Sequence, residues 1–210
     1  MNKKIKKHFF ITVEGGECSG KTTHSLLLKE HLEKKGYKVL LTREPGGTIC
    51  SEALRRILLD PDLNIISLSE LFLYEAARAQ HVKELIFPAL KDGKVVICDR
   101  FIDSTVAYQG YGRKLNLQLI DKLNSLASFG LTPFLTIYLD IASSEGLNKV
   151  KKLNKEIDRI EREPVDFHKN VRRGYLKQAK KYPERIKIVK IQSSPENTQI
   201  LIRKIIDAAL

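Results

Sequence analysis

The segment at residues 15–22 constrains the fold of this chain more than any other, because it reads Gly-Gly-Glu-Cys-Ser-Gly-Lys-Thr. An apolar run at residues 9–13 precedes it, and a segment with helical character follows it. The spacing matches G-x-x-x-x-G-K-[ST], which is typical of a phosphate-binding loop between a strand and a helix. Glycines in the loop permit backbone angles that other residues avoid, so that several amide groups converge on one anion. The dipole of the following helix strengthens this anion site.

Two side chains of the loop carry its expected chemistry. Lys21 is expected to neutralise the β- and γ-phosphates of ATP, and the hydroxyl of Thr22 is expected to bind Mg2+. A glycine-rich turn that binds nothing is the alternative, and the flanking strand and helix argue against it. The residues expected to bind ATP are Gly15, Gly16, Glu17, Cys18, Ser19, Gly20, Lys21, Thr22 and Thr23.

The composition is that of a globular protein, and we expect a single domain over residues 1–210. Hydrophobic residues make up 42% of the chain and charged residues 30%, and no apolar stretch reaches the length of a membrane span. The three cysteines, Cys18, Cys50 and Cys98, lack metal-ligand spacing and are typical of reduced thiols. No signal peptide is recognised, so we expect a cytoplasmic protein without a membrane partner.

The net charge of +12 is concentrated, since residues 149–190 contain 15 Lys and Arg against 6 Asp and Glu. Such a region can bind nucleic acid, clamp the phosphates of a nucleotide or form a solvated surface. Aromatic residues that could stack on bases are not interleaved with the basic ones. We therefore favour a phosphate clamp with a solvated surface and expect no nucleic-acid partner.

Strands and helices alternate along the chain, which predicts a three-layer α/β fold with a parallel sheet of about five strands and helices on both faces. Ser67 and Glu70 have the spacing of a helix capping box. The highly charged segment at about 144–163 has few apolar residues and no clear core-facing side, and we interpret it as a mobile lid over the site. Strands are predicted at residues 9–14, 38–42, 95–98, 134–139 and 186–191, and helices at 21–35, 51–59, 67–90, 104–109, 116–129, 165–182 and from about 195.

Ligands of such a sheet bind at the carboxyl ends of its strands, where several candidate residues lie. Asp99 ends an apolar strand, at the position where a phosphate-loop protein places a carboxylate for Mg2+. Arg100 follows it and can bind two phosphate oxygens at once. A surface ion pair at a strand end is the alternative interpretation.

Further motifs reduce the number of phosphate-loop protein classes to which the chain can belong. The Asn-Lys-x-Asp motif of GTP-binding switches is missing, because the Asn-Lys pairs at residues 148 and 154 are not followed by the required Asp. A small phosphotransferase remains. Five further segments occur in a characteristic order, namely Thr-Arg-Glu-Pro-Gly-Gly-Thr at 42–48, Ala-Ala-Arg at 76–78, Asp-Arg-Phe at 99–101, Ser-Thr-Val-Ala-Tyr-Gln-Gly at 104–110 and Asp-Arg-Ile-Glu at 158–161.

With the phosphate loop, these segments resemble thymidylate kinase of the bacterial type, a P-loop nucleoside monophosphate kinase. The resemblance runs from about residue 9 to residue 182. It implies transfer of the γ-phosphoryl group of Mg-ATP to dTMP, which forms dTDP for dTTP synthesis, and it implies a homodimer. A kinase of the same fold with another nucleotide or a deoxynucleoside as acceptor is the first alternative, and a nucleic-acid-binding ATPase is the second.

The resemblance also implies roles for residues of the acceptor site. Arg43 corresponds to the arginine that grips the dTMP phosphate, and Pro45 to a proline that lines the pocket. Tyr74 takes the place of an aromatic residue that stacks on thymine, where Phe is usual. Arg78 corresponds to the arginine that reads a thymine carbonyl.

Further positions fall beside the sugar and the base. Tyr108 corresponds to the tyrosine under the sugar at its 2′ position, and Glu17 to a carboxylate near the 3′-hydroxyl. Thr105 and Gln109 match polar positions beside the base. Glu14 ends the first strand and is expected near Mg2+, together with Thr22 and Asp99.

The lid departs from the family pattern. Members whose phosphate loop lacks arginine usually supply lid arginines to the transferring phosphoryl group. In residues 146–155 of this chain, however, every basic residue is a lysine. The expected catalytic residues are therefore Lys21 and Arg100, with Lys149 or Lys151 replacing the missing arginine. The alternatives are that Arg159 and Arg162 reach in from further along the chain, or that the enzyme is slow.

Overall fold

The computed structural model describes residues 9–152 and 156–210 and is built on a five-stranded sheet. Its strands lie in the order β2-β3-β1-β4-β5, and every neighbouring pair is parallel. The predicted sheet is confirmed. The strands are β1 (Phe10–Gly15), β2 (Val39–Arg43), β3 (Val95–Asp99), β4 (Leu135–Asp140) and β5 (Ile186–Lys190).

Helices cover both faces of this sheet. Two π-helical stretches interrupt the regular helices, Val82–Ile86 between the third and fourth helix and Val106–Gly112 directly after the fifth. Such stretches are frequent at functional sites. The helices are α1 (Lys21–Lys34), α2 (Ile49–Leu59), α3 (Ser67–His81), α4 (Phe87–Lys91), α5 (Ile102–Thr105), α6 (Leu117–Ala127), α7 (Ser143–Lys152), α8 (Val165–Lys181) and α9 (Pro195–Ala209).

The hydrophobic core lies on both sides of the sheet. On one face, α1 and α9 contribute Leu28, Leu32, Ile202 and Ile206, which are buried against the strands. On the other face, α8 packs on the sheet through residues such as Tyr175. The central strand β1 is buried along its whole length, as expected for a parallel strand that is covered on both faces.

The strand order reverses at β1, which has β3 on one side and β4 on the other. The phosphate loop leaves the carboxyl end of β1 at this point. Arg43 at the end of β2 lies in register with Asp99 at the end of β3, and Val13 of β1 also pairs with Asp99. The topology therefore gathers the predicted residues at one edge of the sheet, where ligands of open α/β sheets bind.

The expected capping box at α3 is wrong. Ile66 takes the capping position and Ser67 is the first helical residue, with no side-chain cap. The carboxylate of Glu70 is fully buried and binds side chains from distant parts of the chain instead. Hydrogen bonds to distant side chains have therefore replaced the local capping interaction that the sequence predicted.

The predicted lid segment has a buried side, contrary to the sequence interpretation. Its first part forms α7, in which Gly146 and Val150 are buried. A Cβ atom at Gly146 would lie 2.5 Å from the carbonyl oxygen of Glu17, so α7 packs directly on the phosphate loop. Residues 153–155 of the predicted lid lie outside the described residues. Among the residues described, no helix has the length and apolar character to cross a membrane.

Candidate active site

The phosphate loop forms the tight turn that its glycines predict. Gly20 has a φ of 82° immediately before α1, a backbone conformation that favours glycine. A Cβ atom at Gly15 would lie 2.9 Å from the carbonyl oxygen of Leu139, so only glycine fits against β4 there. Lys21 folds back over the loop, and its Nζ donates to the carbonyl oxygen of Gly16 at 2.8 Å. Burial lowers the pKa of Lys21, and its charge acts in a poorly solvated setting where electrostatic forces are strong.

Two of the three predicted metal ligands meet at the mouth of this loop. Thr22 Oγ1 donates to Asp99 Oδ2 at 2.8 Å, which joins the start of α1 to the end of β3. A hydroxyl and a carboxylate are oxygen ligands of the kind that Mg2+ prefers, and Mg2+ often takes only one or two protein ligands beside water and phosphate. No group of three or more His, Cys, Asp or Glu side chains suited to a metal occurs in residues 9–152 and 156–210.

The third predicted ligand, Glu14, is engaged elsewhere. Its Oε1 accepts the backbone N–H of Phe101 at 2.7 Å, and its Oε2 accepts the hydroxyls of Ser104 at 2.6 Å and Tyr175 at 2.9 Å. Burial and the nearby charge of Asp103 raise the pKa of Glu14 to about 7. With both oxygens bound, Glu14 braces the turn after β3 instead of joining Thr22 and Asp99.

Arg100 occupies that turn in a strained backbone conformation. Its φ of 72° lies in the left-handed region, which is costly for a residue with a long side chain. The guanidinium donates from Nη1 to the carbonyl oxygen of Gly15 at 3.0 Å and from Nη2 to Glu17 Oε1 at 3.3 Å. It lies 4.9 Å from the ring centre of Tyr108. The strain thus places a cation beside the phosphate loop.

Glu17 and Tyr108, both expected near the sugar, are in contact. The Tyr108 hydroxyl donates to Glu17 Oε1 at 2.6 Å. Burial opposes the charge of Glu17, but Arg100 and Lys21 outweigh it and lower the pKa of Glu17 to about 2. Burial raises the pKa of Tyr108, so the phenol remains a neutral donor.

A cavity of about 700 Å³ extends from the phosphate loop to the buried ends of α3 and the π-helical stretch after α5. This volume suits a ligand the size of a nucleotide. Glu14, Lys149, Lys151 and Arg159 are not among its lining residues. The predicted residues that line it are Glu17, Lys21, Thr22, Arg43, Pro45, Tyr74, Arg78, Asp99, Arg100, Thr105, Tyr108 and Gln109.

Arg78 is fixed at the buried end of this cavity. Its Nε donates to Glu44 at 2.8 Å, and its Nη1 donates to Glu75 at 3.0 Å and to Asn124 at 2.7 Å. Burial opposes its charge, but Glu44 and Glu75 outweigh it and raise the pKa of Arg78. The guanidinium is therefore a permanent, rigid cation in the wall.

Three other predicted residues, Tyr74, Thr105 and Gln109, line the same cavity as Arg78. Thr105 and Gln109 are almost fully buried. The Gln109 amide donates from Nε2 to Glu70 Oε1 at 2.8 Å. Burial raises the pKa of Tyr74, so its ring is neutral. This end of the cavity combines an aromatic face with polar atoms, which suits a nucleobase.

The predicted Arg43 is joined in the cavity lining by a second arginine, Arg55, which the sequence interpretation missed. Arg43 is half-exposed and donates to both carboxylate oxygens of Glu52, at 3.1 and 3.2 Å. Arg55 of α2 also lines the cavity and donates to the carbonyl oxygen of Pro45 at 3.0 Å. The sequence carried a signal for it, because residue 55 shares a helix face with the buried residues at 51 and 58.

The lid cations are not brought to the cavity. Lys149 is exposed and pairs with Glu145 of the same helix at 3.0 Å, and Lys151 is exposed. Arg159 donates from Nη1 to Glu70 at 2.6 Å and from Nε to the carbonyl oxygen of Leu58 at 2.9 Å. Its Nη2 is buried and has no partner in the part of the chain that the structure describes.

Comparison with known proteins points to one family. The family model described as thymidylate kinase matches residues 13–202. A thymidylate kinase of Synechococcus sp. (strain JA-3-3Ab) is 52% identical over 89% of this chain and 89% of its own length. One from Citrifermentans bemidjiense is 48% identical over 92% of this chain and 89% of its own. The crystal structure of thymidylate kinase from Ehrlichia chaffeensis superposes with a TM-score of 0.79 at 37% identity, and covers 95% of this chain and 98% of that one.

Proposed function

This chain belongs to the thymidylate kinase family, and we propose that it transfers the γ-phosphoryl group of ATP to dTMP, which yields dTDP. One observation carries the proposal beyond family membership. A single cavity is lined by residues of the phosphate loop and also by an aromatic ring, a fixed arginine and a glutamine amide. Such a cavity accommodates a phosphate at one end and a base at the other.

Lys21 and Arg100 carry the electrostatic part of catalysis. Phosphoryl transfer needs little covalent chemistry from the protein, so positioning and charge stabilisation dominate. Both cations are held by backbone carbonyl oxygens of the loop, at Gly16 and Gly15 respectively. They are therefore oriented before substrate arrives, which is the condition under which such groups stabilise a transition state most.

Thr22 and Asp99 would hold Mg2+. The hydrogen bond between them supports this assignment, because it already brings a hydroxyl oxygen and a carboxylate oxygen together at the loop. Bound Mg2+ neutralises charge on the β- and γ-phosphates. Within residues 9–152 and 156–210, Glu14 does not serve as a third ligand here, since its oxygens bind other donors.

The acceptor is held by three groups of side chains. Arg43, joined by Arg55, binds the phosphate of dTMP. Tyr108 and Glu17 lie against the sugar, where the phenol leaves no room for a ribose 2′-hydroxyl. Arg78 and Gln109 read the base, over which Tyr74 stacks. Catalytic roles for Lys149, Lys151 or Arg159 require that the lid close over ATP.

A coupled assay of ADP release across a panel of nucleoside monophosphates and deoxynucleosides tests the proposal. We expect dTMP to give the highest kcat/KM. Preference for an unphosphorylated nucleoside or for another nucleotide would support the kinase with a different acceptor. Stimulation of ATP hydrolysis by DNA, lost at raised salt, would support the nucleic-acid-binding ATPase.

The same proposal includes a homodimer in the cytoplasm. Several large apolar side chains on neighbouring helices are exposed, namely Ile66, Leu68 and Phe72 at α3 and Leu126 and Phe129 at the end of α6. The helices α3 and α6 contact each other, and exposed apolar side chains gathered on neighbouring helices are typical of an interface. Sedimentation of the wild type and of Phe72→Glu tests this, since the variant should become monomeric. A wild type that is monomeric throughout would contradict the dimer.

A further inference from the structure

Glu70 is a buried carboxylate that touches no part of the cavity itself, yet four hydrogen bonds converge on it. Its Oε1 accepts Gln109 Nε2 at 2.8 Å and Arg113 Nε at 3.1 Å. Its Oε2 accepts Arg113 Nη2 at 2.9 Å and Arg159 Nη1 at 2.6 Å. The three partners come from the π-helical stretch, the residue after it and the segment before α8. The side chain of Glu70 is 0% exposed, so within the described part of the chain these partners alone satisfy it.

The hydrogen-bond donors around Glu70 determine the protonation state of this carboxylate. Burial disfavours the charge, but the hydrogen bonds from Arg113 and Gln109 outweigh it and lower the pKa of Glu70. An ionised carboxylate can only accept hydrogen bonds. The amide of Gln109 must therefore turn its NH2 group towards Glu70.

The carbonyl oxygen of the Gln109 amide points away from Glu70. Gln109 lines the cavity, and the described residues provide no protein donor to its Oε1. We propose that Glu70 is a specificity-determining positioning residue, because it holds Gln109 with its carbonyl oxygen facing the base. This inference rests on the proposed function, whose base-binding end it deepens.

The fixed amide discriminates between pyrimidines. Thymine presents an N3–H donor beside the O4 acceptor, whereas cytosine presents an N3 acceptor beside an amino donor. Gln109 Oε1 accepts the N3–H of thymine, and Arg78 donates to the neighbouring carbonyl. Cytosine would set acceptor against acceptor at Gln109 and donor against donor at Arg78. A site built for one hydrogen-bond pattern rejects the other strongly, because buried polar groups are left unpaired.

Glu70→Gln tests the inference with an isosteric change. The new carboxamide has one donor group, and Arg113 and Arg159 cannot accept a hydrogen bond. Of the three partners, only Gln109 can rotate to accept from it. That rotation turns the NH2 group of Gln109 towards the base, where it opposes N3–H of thymine and suits N3 of cytosine. We expect the ratio of kcat/KM for dTMP to that for dCMP to fall about tenfold or more, which corresponds to one mispaired buried group. Arg78 remains, so the ratio should stay above one.

Matched substrates and variants separate this role from general damage. The acceptor dUMP has the same N3–H and O4 pattern as dTMP, so Glu70→Gln should leave the ratio of dTMP to dUMP unchanged. Glu70→Asp keeps an acceptor-only group and should retain the ratio of dTMP to dCMP even where kcat/KM falls. Glu163→Gln weakens the ion pair of Arg113 without touching Glu70, and should also retain that ratio.

The outcome is decided by ratios and not by absolute rates. If Glu70→Gln lowers kcat/KM for dTMP and dCMP equally, Glu70 only stabilises the fold and the inference is wrong. Equilibrium binding of dTMP and dCMP to the same variants gives the same test where turnover is too low to measure. A wild type that does not phosphorylate dTMP would contradict the proposed function. A wild type that does so, combined with an unchanged ratio in Glu70→Gln, would contradict this inference alone.

Discussion

Glu14 offers a sharp test of how the site is held together, because it is a fully buried carboxylate that two hydroxyls and a backbone N–H surround. Replacing it by glutamine preserves this arrangement. The amide oxygen can accept from the N–H of Phe101, while the NH2 group donates to Ser104 and Tyr175, whose hydroxyls can reverse their roles. Glu14→Gln therefore imitates the protonated carboxyl at every pH.

The expected size of the effect follows from the shift in its pKa. Burial and Asp103 raise the pKa of Glu14 from 4.5 to about 7 in the folded protein. The folded state thus holds the proton more tightly than the unfolded chain does. The resulting stabilisation is fully present below pH 4.5 and is lost as the pH rises through about 7. Its upper limit is about 3.5 kcal/mol, since each of the 2.5 pKa units corresponds to about 1.4 kcal/mol.

The measurement is the free energy of unfolding by urea between about pH 5 and about pH 8, without nucleotide and with a chelator present. Glu14→Gln and wild type should differ little at the acid end, and the variant should become the more stable as the pH rises. Tyr175→Phe is the matched control. It removes a hydrogen bond that favours the charge of Glu14, so the pH dependence should move to higher pH. A constant difference between wild type and Glu14→Gln would refute the reasoning, because it would mean that Glu14 stays ionised throughout.

Three further predictions concern turnover. Lys21→Ala should lower kcat at least about a hundredfold in coupled ADP-release assays while thermal unfolding is unchanged, as expected for loss of one preorganised charge, and unchanged turnover in a folded variant would contradict the kinase mechanism. Tyr108→Ala should narrow the preference for dTMP over its ribose counterpart, and an undiminished preference would place the discrimination elsewhere. Lys149→Met or Lys151→Met should lower kcat more than it raises the KM for ATP, and replacement of the same lysine by Arg should preserve or raise kcat. Single-turnover kinetics of these variants and of Arg159→Met measure the effect on the chemical step. The lysine hypothesis fails if only Arg159→Met slows the chemical step.

The framework of the fold could be predicted because local and global signals agree in it. Buried parallel strands read as nearly continuous apolar runs, as at residues 95–98, which lie within β3. Residues that end a helix were equally informative, since Gly36, with a φ of 88°, follows the end of α1. The carboxyl ends of the strands then placed Arg43 and Asp99 at one edge, where the structure has them in register.

Residues whose partners are remote in sequence could not be predicted in the same way. Glu70 satisfied a local capping pattern, but its hydrogen bonds reach Gln109, Arg113 and Arg159, between 39 and 89 residues away. No local rule distinguishes a carboxylate that caps its own helix from one that the fold buries beneath a cavity wall. Glu14 illustrates the same limit, because its strand position suggested a metal ligand while Ser104 and Tyr175 bind its oxygens.

The contacts of the lid residues rank the candidate cations, which the sequence alone does not rank. Lys149 forms an exposed ion pair with Glu145, and breaking such a pair costs little free energy. Arg159 would have to abandon the buried carboxylate of Glu70, and removing one partner of a buried charge is costly. Position favours the same order. The helix that carries the lysines packs through Gly146 on the phosphate loop, where the proposed function puts the donor phosphates, whereas Arg159 is held by Glu70 on the side of the proposed base site. In the proposed mechanism, closure of α7 over ATP therefore brings a lysine to the transferring phosphoryl group at lower cost than withdrawal of Arg159 from its carboxylate.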